Sequence, residues 1–342
     1  MMRSKKLKVK SENLALNFCL FTFAFCLWAG SEQALAFKII EPVENSLLKS
    51  GETVTARVDL GNDTGVIRIR YYWYGEQDET LVQEEQTTSV GTIVAPAMLT
   101  STAQSDPPFG GKLKVPLDAI GTMRLLAVGE ISRGRLETRS TFDEILVRVL
   151  PSAELQSIEF ETDRVVTIDT LGKTLELPVV GLFSDGVTRR LAAPSTRTTY
   201  RSSDEKVITV YPDGLMQAIG NGKAVVTAGN QGKEGHLNVV VAATGEPNKL
   251  PVADAGLNRT VKAGTKVELN GLKSHDSEGE ALFYAWGQVR GSKVPLLDVN
   301  MPKPSFLAPQ VSEKRLYRFK LRVTNKKGAD SVPAYVDVTV VP

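Results

Sequence analysis

The sequence predicts an all-β fold: three consecutive β-sandwiches behind an export leader. Almost nothing after residue 37 has helical periodicity; short runs of β-branched and aromatic residues alternate in polarity between Gly, Asn, Asp and Pro. Two runs show the alternation well. VIRIRYYW (66–73) alternates from Ile67 on, with Ile67, Ile69, Tyr71 and Trp73 on one face. LYRFKLRV (316–323) does the same with Tyr317, Phe319, Leu321 and Val323. Period-2 patterns mark half-buried strands of antiparallel sheets. Many such strands at close spacing, with no helices between them, point to sandwiches.

The leader comes first. MMRSKKLKVK carries five basic residues and no acid, NLALNFCLFTFAFCLWAG runs apolar, and Ala34-Leu35-Ala36 gives the small-x-small pattern of a signal-peptidase site. Residues 1–36 therefore read as a signal peptide, with a mature start near Phe37; an uncleaved membrane anchor is the alternative. Cys19 and Cys26 each follow Phe, where a lipidation motif wants a small residue. Both cysteines fall in the leader, so the mature chain has neither a disulfide nor a thiolate nucleophile. Without the leader, 36 Lys+Arg stand against 37 Asp+Glu, and no global charge argument for nucleic acid survives.

Two boundaries divide the rest. LVRVLP (146–151) ends a strand on a proline before LQSIEF begins another. VVVAATGEPNKLPVADAG (239–256) runs from a strand through a Gly- and Pro-bearing linker. The expected domains are residues 37–150, 151–245 and 246–342, and basic residues are concentrated in the last.

In the middle segment, LQSIEF (155–160), FSDG (183–186), YRSSDEKVITV (200–210), DGLMQAIGNGKAVVTA (213–228) and VVV (239–241) occur in an order that resembles the bacterial immunoglobulin-like group 2 domain of intimin- and invasin-type surface proteins. That family usually has Trp where Tyr200 stands. In the last segment, PVADAG (251–256), VELNG (267–271), SHDSEGEALFYAW (274–286) and YRFKLRVTNKKGA (317–329) resemble the PKD-type immunoglobulin-like domain. Its usual acidic turn has two aspartates, whereas here it reads Asp276-Ser-Glu278-Gly-Glu280, and Asn325 replaces an Asp. FKIIEPVENSLLKSGETVTARV (37–58) and KLKVPLDAIGTMRLLAVGE (112–130) resemble bacterial immunoglobulin-like modules more loosely, with 76–111 read as an elaborated loop. These resemblances imply three immunoglobulin-like β-sandwich domains.

The acidic turn SHDSEGE is the first candidate for chemistry. As an EF-hand from Asp276 it would need Gly sixth and Glu twelfth, but those positions are Ala281 and Gly287. Zinc would need several His or Cys ligands, and the mature chain offers only His236 and His275, in different domains. A glycosidase needs two carboxylates facing each other across a cleft, roughly 5–9 Å apart. TIDTLGKT (167–174) lacks the first glycine of a phosphate loop, and LFSDG (182–186) the first glycine of a nucleophile elbow. Two readings remain. The stretch is a turn that feeds Leu282, Tyr284 and a buried Trp286 into a strand, or it binds calcium. The PKD resemblance raises the second, since some such domains bind calcium there, with Asp276, Glu278 and Asn325 meeting the linker near Asn248.

Two surfaces are candidates for binding. Arg318, Lys320 and Arg322 form an outward row, spaced about 7 Å apart, that suits an anionic polymer or an acidic protein face; a plain solvated strand is the alternative. Tyr72 and Tyr74 point away from the Tyr71 and Trp73 face, available to stack on sugar rings or anchor an interface unless the 76–111 loop covers them. The resulting expectation is an exported, non-catalytic protein without a cofactor other than calcium. Strung sandwiches would present loops for adhesion or envelope assembly by binding a surface or envelope protein, or a glycan. Rival readings are a carbohydrate-binding accessory module and a periplasmic scaffold of a secretion or envelope complex.

Overall fold

Alternating strands with one apolar face must pair and then stack, and the chain does this in three successive groups. The computed structural model describes residues 37–76, 78, 102–104, 109–132, 138–244, 248–311 and 313–342. The leader 1–36, most of the expected 76–111 loop and linker residues 245–247 lie outside them.

In the first group Lys38–Glu41, Thr53–Asp59 and Gly111–Lys114 form one antiparallel sheet. The other has the spatial order Leu47–Lys49, Thr138–Leu150, Gly121–Ser132, Val66–Gly75, Thr102–Gln104. Ile69, Tyr71 and Trp73 enter the core with Leu125, Ala127, Ile145 and Val147. Ile67 departs from its predicted face and is 46% exposed. A bulge between Val66 and Arg68 inserts one residue into the register, so Val66 takes the inward place.

In the second group Val165–Ile168, Lys233–Val241, Gly222–Asn230 and Thr199–Ser202 make one sheet. It faces two three-stranded sheets, Thr188–Arg190 with Val179–Phe183 and Leu155–Phe160, and Thr174–Glu176 with Leu215–Ala218 and Ile208–Val210. Tyr200 packs against this core, its hydroxyl donating to the Ala192 carbonyl at 3.3 Å. A ring in that position thus keeps a partner for its polar end.

In the third group Arg259–Lys262, Ala334–Val341, Arg315–Asn325 and Leu282–Arg290 form the main sheet, opposed by Lys266–Glu268 and Ser305–Leu307. Tyr317, Phe319, Leu321 and Val323 are fully buried with Trp286, and Phe319 meets Phe306 at 4.9 Å between ring centroids. All three groups share one device: a short early strand runs parallel to the group's last strand, Leu47–Lys49 on Thr138–Leu150, Val165–Ile168 on Lys233–Val241, and Arg259–Lys262 on Ala334–Val341. The chain is all-β, built from immunoglobulin-like sandwiches. Among the described residues, no helix is long and apolar enough to cross a membrane.

The sandwiches are not strung out. The described residues from 37 on belong to one compact unit, in which each sandwich touches the other two. Between the first and second, Thr122 N–H donates to Ser195 Oγ at 3.0 Å and buried Arg189 reaches Ser50 Oγ at 3.3 Å. Between the first and third, Arg315 pairs with Asp143, donates to the Phe37 carbonyl at 3.0 Å, and lies over the Phe142 ring. Arg290 meets Glu144 at 3.3 Å in the same joint. Between the second and third, Asp330 is 4% exposed and accepts from Thr174 Oγ1 at 3.2 Å and Thr324 Oγ1 at 2.7 Å. Its own N–H donates to the Gly172 carbonyl at 3.2 Å. The expected arrangement of separated sandwiches is thus corrected: each linker is short, and every joint buries charged or polar groups that need partners from the neighbouring sandwich.

Gly172 is the closest approach at the last joint. It has φ +83°, and a Cβ there would run into Ala329 and come within 2.7 Å of Leu250 Cδ2. Gly172→Ala should destabilise the chain by about 2–4 kcal/mol through backbone strain plus overpacking. Gly232→Ala, at φ +77° with nothing within 4 Å, should lose only about 1–2 kcal/mol from strain. Urea denaturation of the two variants checks this; equal losses would mean that the joint is not tightly packed.

Candidate functional site

The acidic turn resolves into a hydrogen-bonded cap. Gly279, at φ +75°, donates its N–H to the Asp276 carbonyl at 3.1 Å, closing the turn. Asp276 Oδ1 accepts from the N–H groups of Glu278 at 2.8 Å and Glu280 at 3.3 Å. Its Oδ2 accepts from Asn325 Nδ2 at 3.0 Å. Asn325 also donates to Asn248 Oδ1 at 2.7 Å, so the structure brings Asp276, Asn325 and the linker together as the sequence implied.

The donor set does not fit calcium. The Ala329 N–H faces Asn325 Oδ1 at 2.9 Å, and an N–H needs an acceptor, which fixes the amide with its nitrogen toward Asp276. Glu278 turns to the Lys327 ammonium at 3.1 Å, and Glu280 lies 3.7 Å from it. The positive charge that a metal would bring is supplied by the chain. Among the described residues, no group of three or more His, Cys, Asp or Glu is placed to hold a metal.

Tyr72 and Tyr74 are corrected outright. They are 2% and 1% exposed, in one hydrophobic cluster with Leu126, Val128, Phe142 and the core of the third sandwich. Arg124 lies over the Tyr74 ring at 5.0 Å. Neither tyrosine is available to a ligand, because the third sandwich covers this face.

The basic row is only partly free. Arg318 makes a two-pronged pair with Asp337 at 2.7 and 2.8 Å, and Arg322 reaches Glu176 of the second sandwich at 3.4 Å. Lys320 has no side-chain partner among the described residues. In the strand register Lys320 stands opposite Tyr335, as Arg318 stands opposite Asp337, which puts all four on one sheet face.

That face forms one wall of a cleft of about 650 Å³ to which all three sandwiches contribute: Arg124 from the first, Arg190 and Asp213 from the second, Lys320 and Tyr335 from the third. Tyr335 is 49% exposed there. Burial, together with the carboxylates of Asp213 and Glu176, raises its hydroxyl above the usual range. The volume falls within the range of roughly 300–1,000 Å³ common for ligand sites. Lys320 was legible from the strand pattern. Arg190, Asp213 and Tyr335 were not, since each joins the cleft only through packing between sandwiches.

One segment matches a known family. Residues 255–340 match a family of PKD domains. The chain therefore carries a PKD-like domain in its third sandwich. Among curated proteins none matches. Solved structures similar to the chain include a nucleoside hydrolase-related hypothetical protein from Saccharophagus degradans associated with carbohydrate metabolism, at 17% identity over 30% of this chain and TM-score 0.22; this chain spans 28% of its length. The PKD domain from KIAA 1837 protein matches at 26% identity over 28% of this chain and 92% of its own, TM-score 0.24. Drosophila OTK extracellular domains 3–5 match at 12% identity over 90% of this chain and 100% of that one, TM-score 0.26.

The cap has a pH signature. Burial by itself would raise the Asp276 carboxyl, but the Asn325 amide, the Glu278 and Glu280 N–H groups and Lys327 outweigh it and hold the group below its ordinary value. Its contribution is therefore present above the unfolded-state value near ~4 and is lost as pH falls through the lower folded value. Asp276→Asn should lose about 1–3 kcal/mol at pH 7, and the gap to wild type should narrow as pH falls through the lowered folded-state value. Urea denaturation across this range checks both points. Melting of the wild type should be the same in calcium and in chelator; a rise of several degrees with calcium would restore the metal reading.

Proposed function

We propose that the chain is an exported, non-catalytic recognition protein of the cell surface or envelope, acting in adhesion or assembly through the cleft at the junction of its three sandwiches. The observation that carries this reading is the cleft itself: a ligand-sized concavity whose walls come from three sandwiches held together by buried polar joints. Such a site exists only while all three are docked, and it needs no moving part to bind. The PKD-like domain, the resemblance of the middle segment to bacterial immunoglobulin-like group 2 domains and the leader pattern support placement outside the cytoplasm.

The non-catalytic reading is supported by the side chains. Of the two histidines, His236 hydrogen-bonds Thr227 at 3.1 Å and His275 lies near the Lys273 carbonyl, and neither lines the cleft. Among the described residues the cleft thus offers carboxylates, cations and a tyrosine, with no histidine or thiol beside them, and the fate of the bound ligand decides whether its carboxylates do more than bind.

The test is binding of the full chain to arrays of surface glycans and of extracellular and envelope proteins. Saturable binding is expected, weakened about tenfold or more by Lys320→Ala with Tyr335→Ala, while the melting temperature stays put. The bound ligand should be recovered chemically unchanged. Binding undiminished in the double variant would overturn the cleft as the site, and a cleaved ligand would overturn the non-catalytic reading.

A further inference from the structure

The chemistry of the cleft narrows the ligand, granted the recognition reading above. Several of its charges are already engaged: Arg124 and Arg290 with Glu144, Arg318 with Asp337, Glu176 with Arg322. Among the described residues, no side-chain hydrogen bond or ion pair is seen for Arg190, Lys320, Glu76 or Glu161, and all four line the cleft. Asp213 has given one oxygen to the Leu215 N–H at 3.2 Å and keeps the other. The cleft therefore offers two cations, Arg190 and Lys320, and the carboxylates of Glu161, Asp213 and Glu76, the last of which also acts on Arg318, together with the exposed Tyr335.

This balance argues against a strongly charged ligand of either sign. An anionic polymer attracted to Arg190 and Lys320 would also meet Glu76, Glu161 and Asp213, and a cationic one would meet the reverse conflict. A neutral molecule rich in hydroxyls has no such conflict. Each hydroxyl both donates and accepts, so it satisfies a carboxylate and a cation in turn. Tyr335 adds what charged groups lack: an exposed aromatic surface for the C–H face of a ring, and a hydroxyl that can both donate and accept.

We infer that the cleft binds a neutral oligosaccharide, one sugar ring resting on Tyr335 and its hydroxyls bonded to Lys320, Asp213 and Arg190. The expected basic-row ligand, an anionic polymer, gives way because two of the three row residues are paired with Asp337 and Glu176 and the third shares its cleft with carboxylates.

Calorimetry with the full chain decides it, using cellotriose, chitotriose and maltotriose as neutral probes, trigalacturonate as the anionic probe and the chitosan trimer as the cationic one. At least one neutral trimer should bind saturably, with affinity changing less than about twofold between 50 and 500 mM salt, as screening predicts for an uncharged ligand. Tyr335→Ala should weaken that binding about tenfold or more, and Tyr335→Phe should retain most of it. Asp213→Asn and Lys320→Met should each weaken it several-fold. Tighter, salt-sensitive binding of trigalacturonate or the chitosan trimer would overturn the inference, and so would no saccharide binding at all. The two levels of the reading separate in the arrays above. A protein ligand lost in the cleft variants, with no saccharide bound, would leave the recognition cleft standing and sink the sugar. Binding indifferent to every cleft variant would sink both.

Discussion

The five-stranded sheet of the first sandwich is apolar on both faces, and that constraint organises the whole chain. Ile69, Tyr71 and Trp73 satisfy one face within the sandwich. Tyr72, Tyr74, Leu126, Val128 and Phe142 leave the other face in need of cover, and burying each is worth about 1.5–3 kcal/mol. The cover is supplied by the third sandwich, in whose hydrophobic cluster these side chains lie. With the first and third sandwiches fixed against each other, the second is held at both of its ends. Ser195 and Arg189 bind it to the first, Thr174 and Gln217 to the third.

The joints differ from the cores in being polar. Asp143, Glu144 and Asp330 are carboxylates removed from water, each met by partners from another sandwich: Arg315, Arg290, and Thr174 with Lys173. Desolvation offsets much of the attraction in such pairs, so their net stabilisation is small, whereas losing one partner strands a buried charge. Their effect is therefore selective. Apolar contact alone tolerates sliding, but a carboxylate that must meet one arginine at one register does not. The hydrophobic face brings the first and third sandwiches together, and the polar groups choose the angle.

Much of this was legible before any coordinates. The inward rows at Tyr71 and Trp73 and at Phe319 and Leu321, the buried Trp286 and the turn at Asp276 follow from period-2 alternation and turn chemistry, which are local properties of the chain. Ile67 escaped because a bulge shifts the alternation by one without leaving a mark in the pattern. Tyr72 and Tyr74 signalled a second apolar face, but not that the third sandwich would cover it. A strand with aromatics on both faces needs cover on both, and here the cover is distant in sequence. Arg190, Asp213 and Tyr335 carried no local signal, since the cleft is a product of long-range docking.

That origin bears on what the cleft can recognise. A site on one loop adjusts to its ligand and gives up affinity to the ordering it must undergo. Here Lys320, Tyr335 and Arg190 stand on hydrogen-bonded strands, Asp213 stands on the tight turn between two others, and the sandwiches are locked at three joints, so the backbone positions of all four are set before a ligand arrives. Sugars have little apolar surface and many hydroxyls that water already satisfies, so binding one gains only if donors and acceptors stand ready in the right places. A rigid junction with both kinds of group and one aromatic ring meets that demand better than a charged stripe on a single strand. The same docking that replaces a strung arrangement is thus what makes the junction suited to a neutral polyhydroxylated ligand.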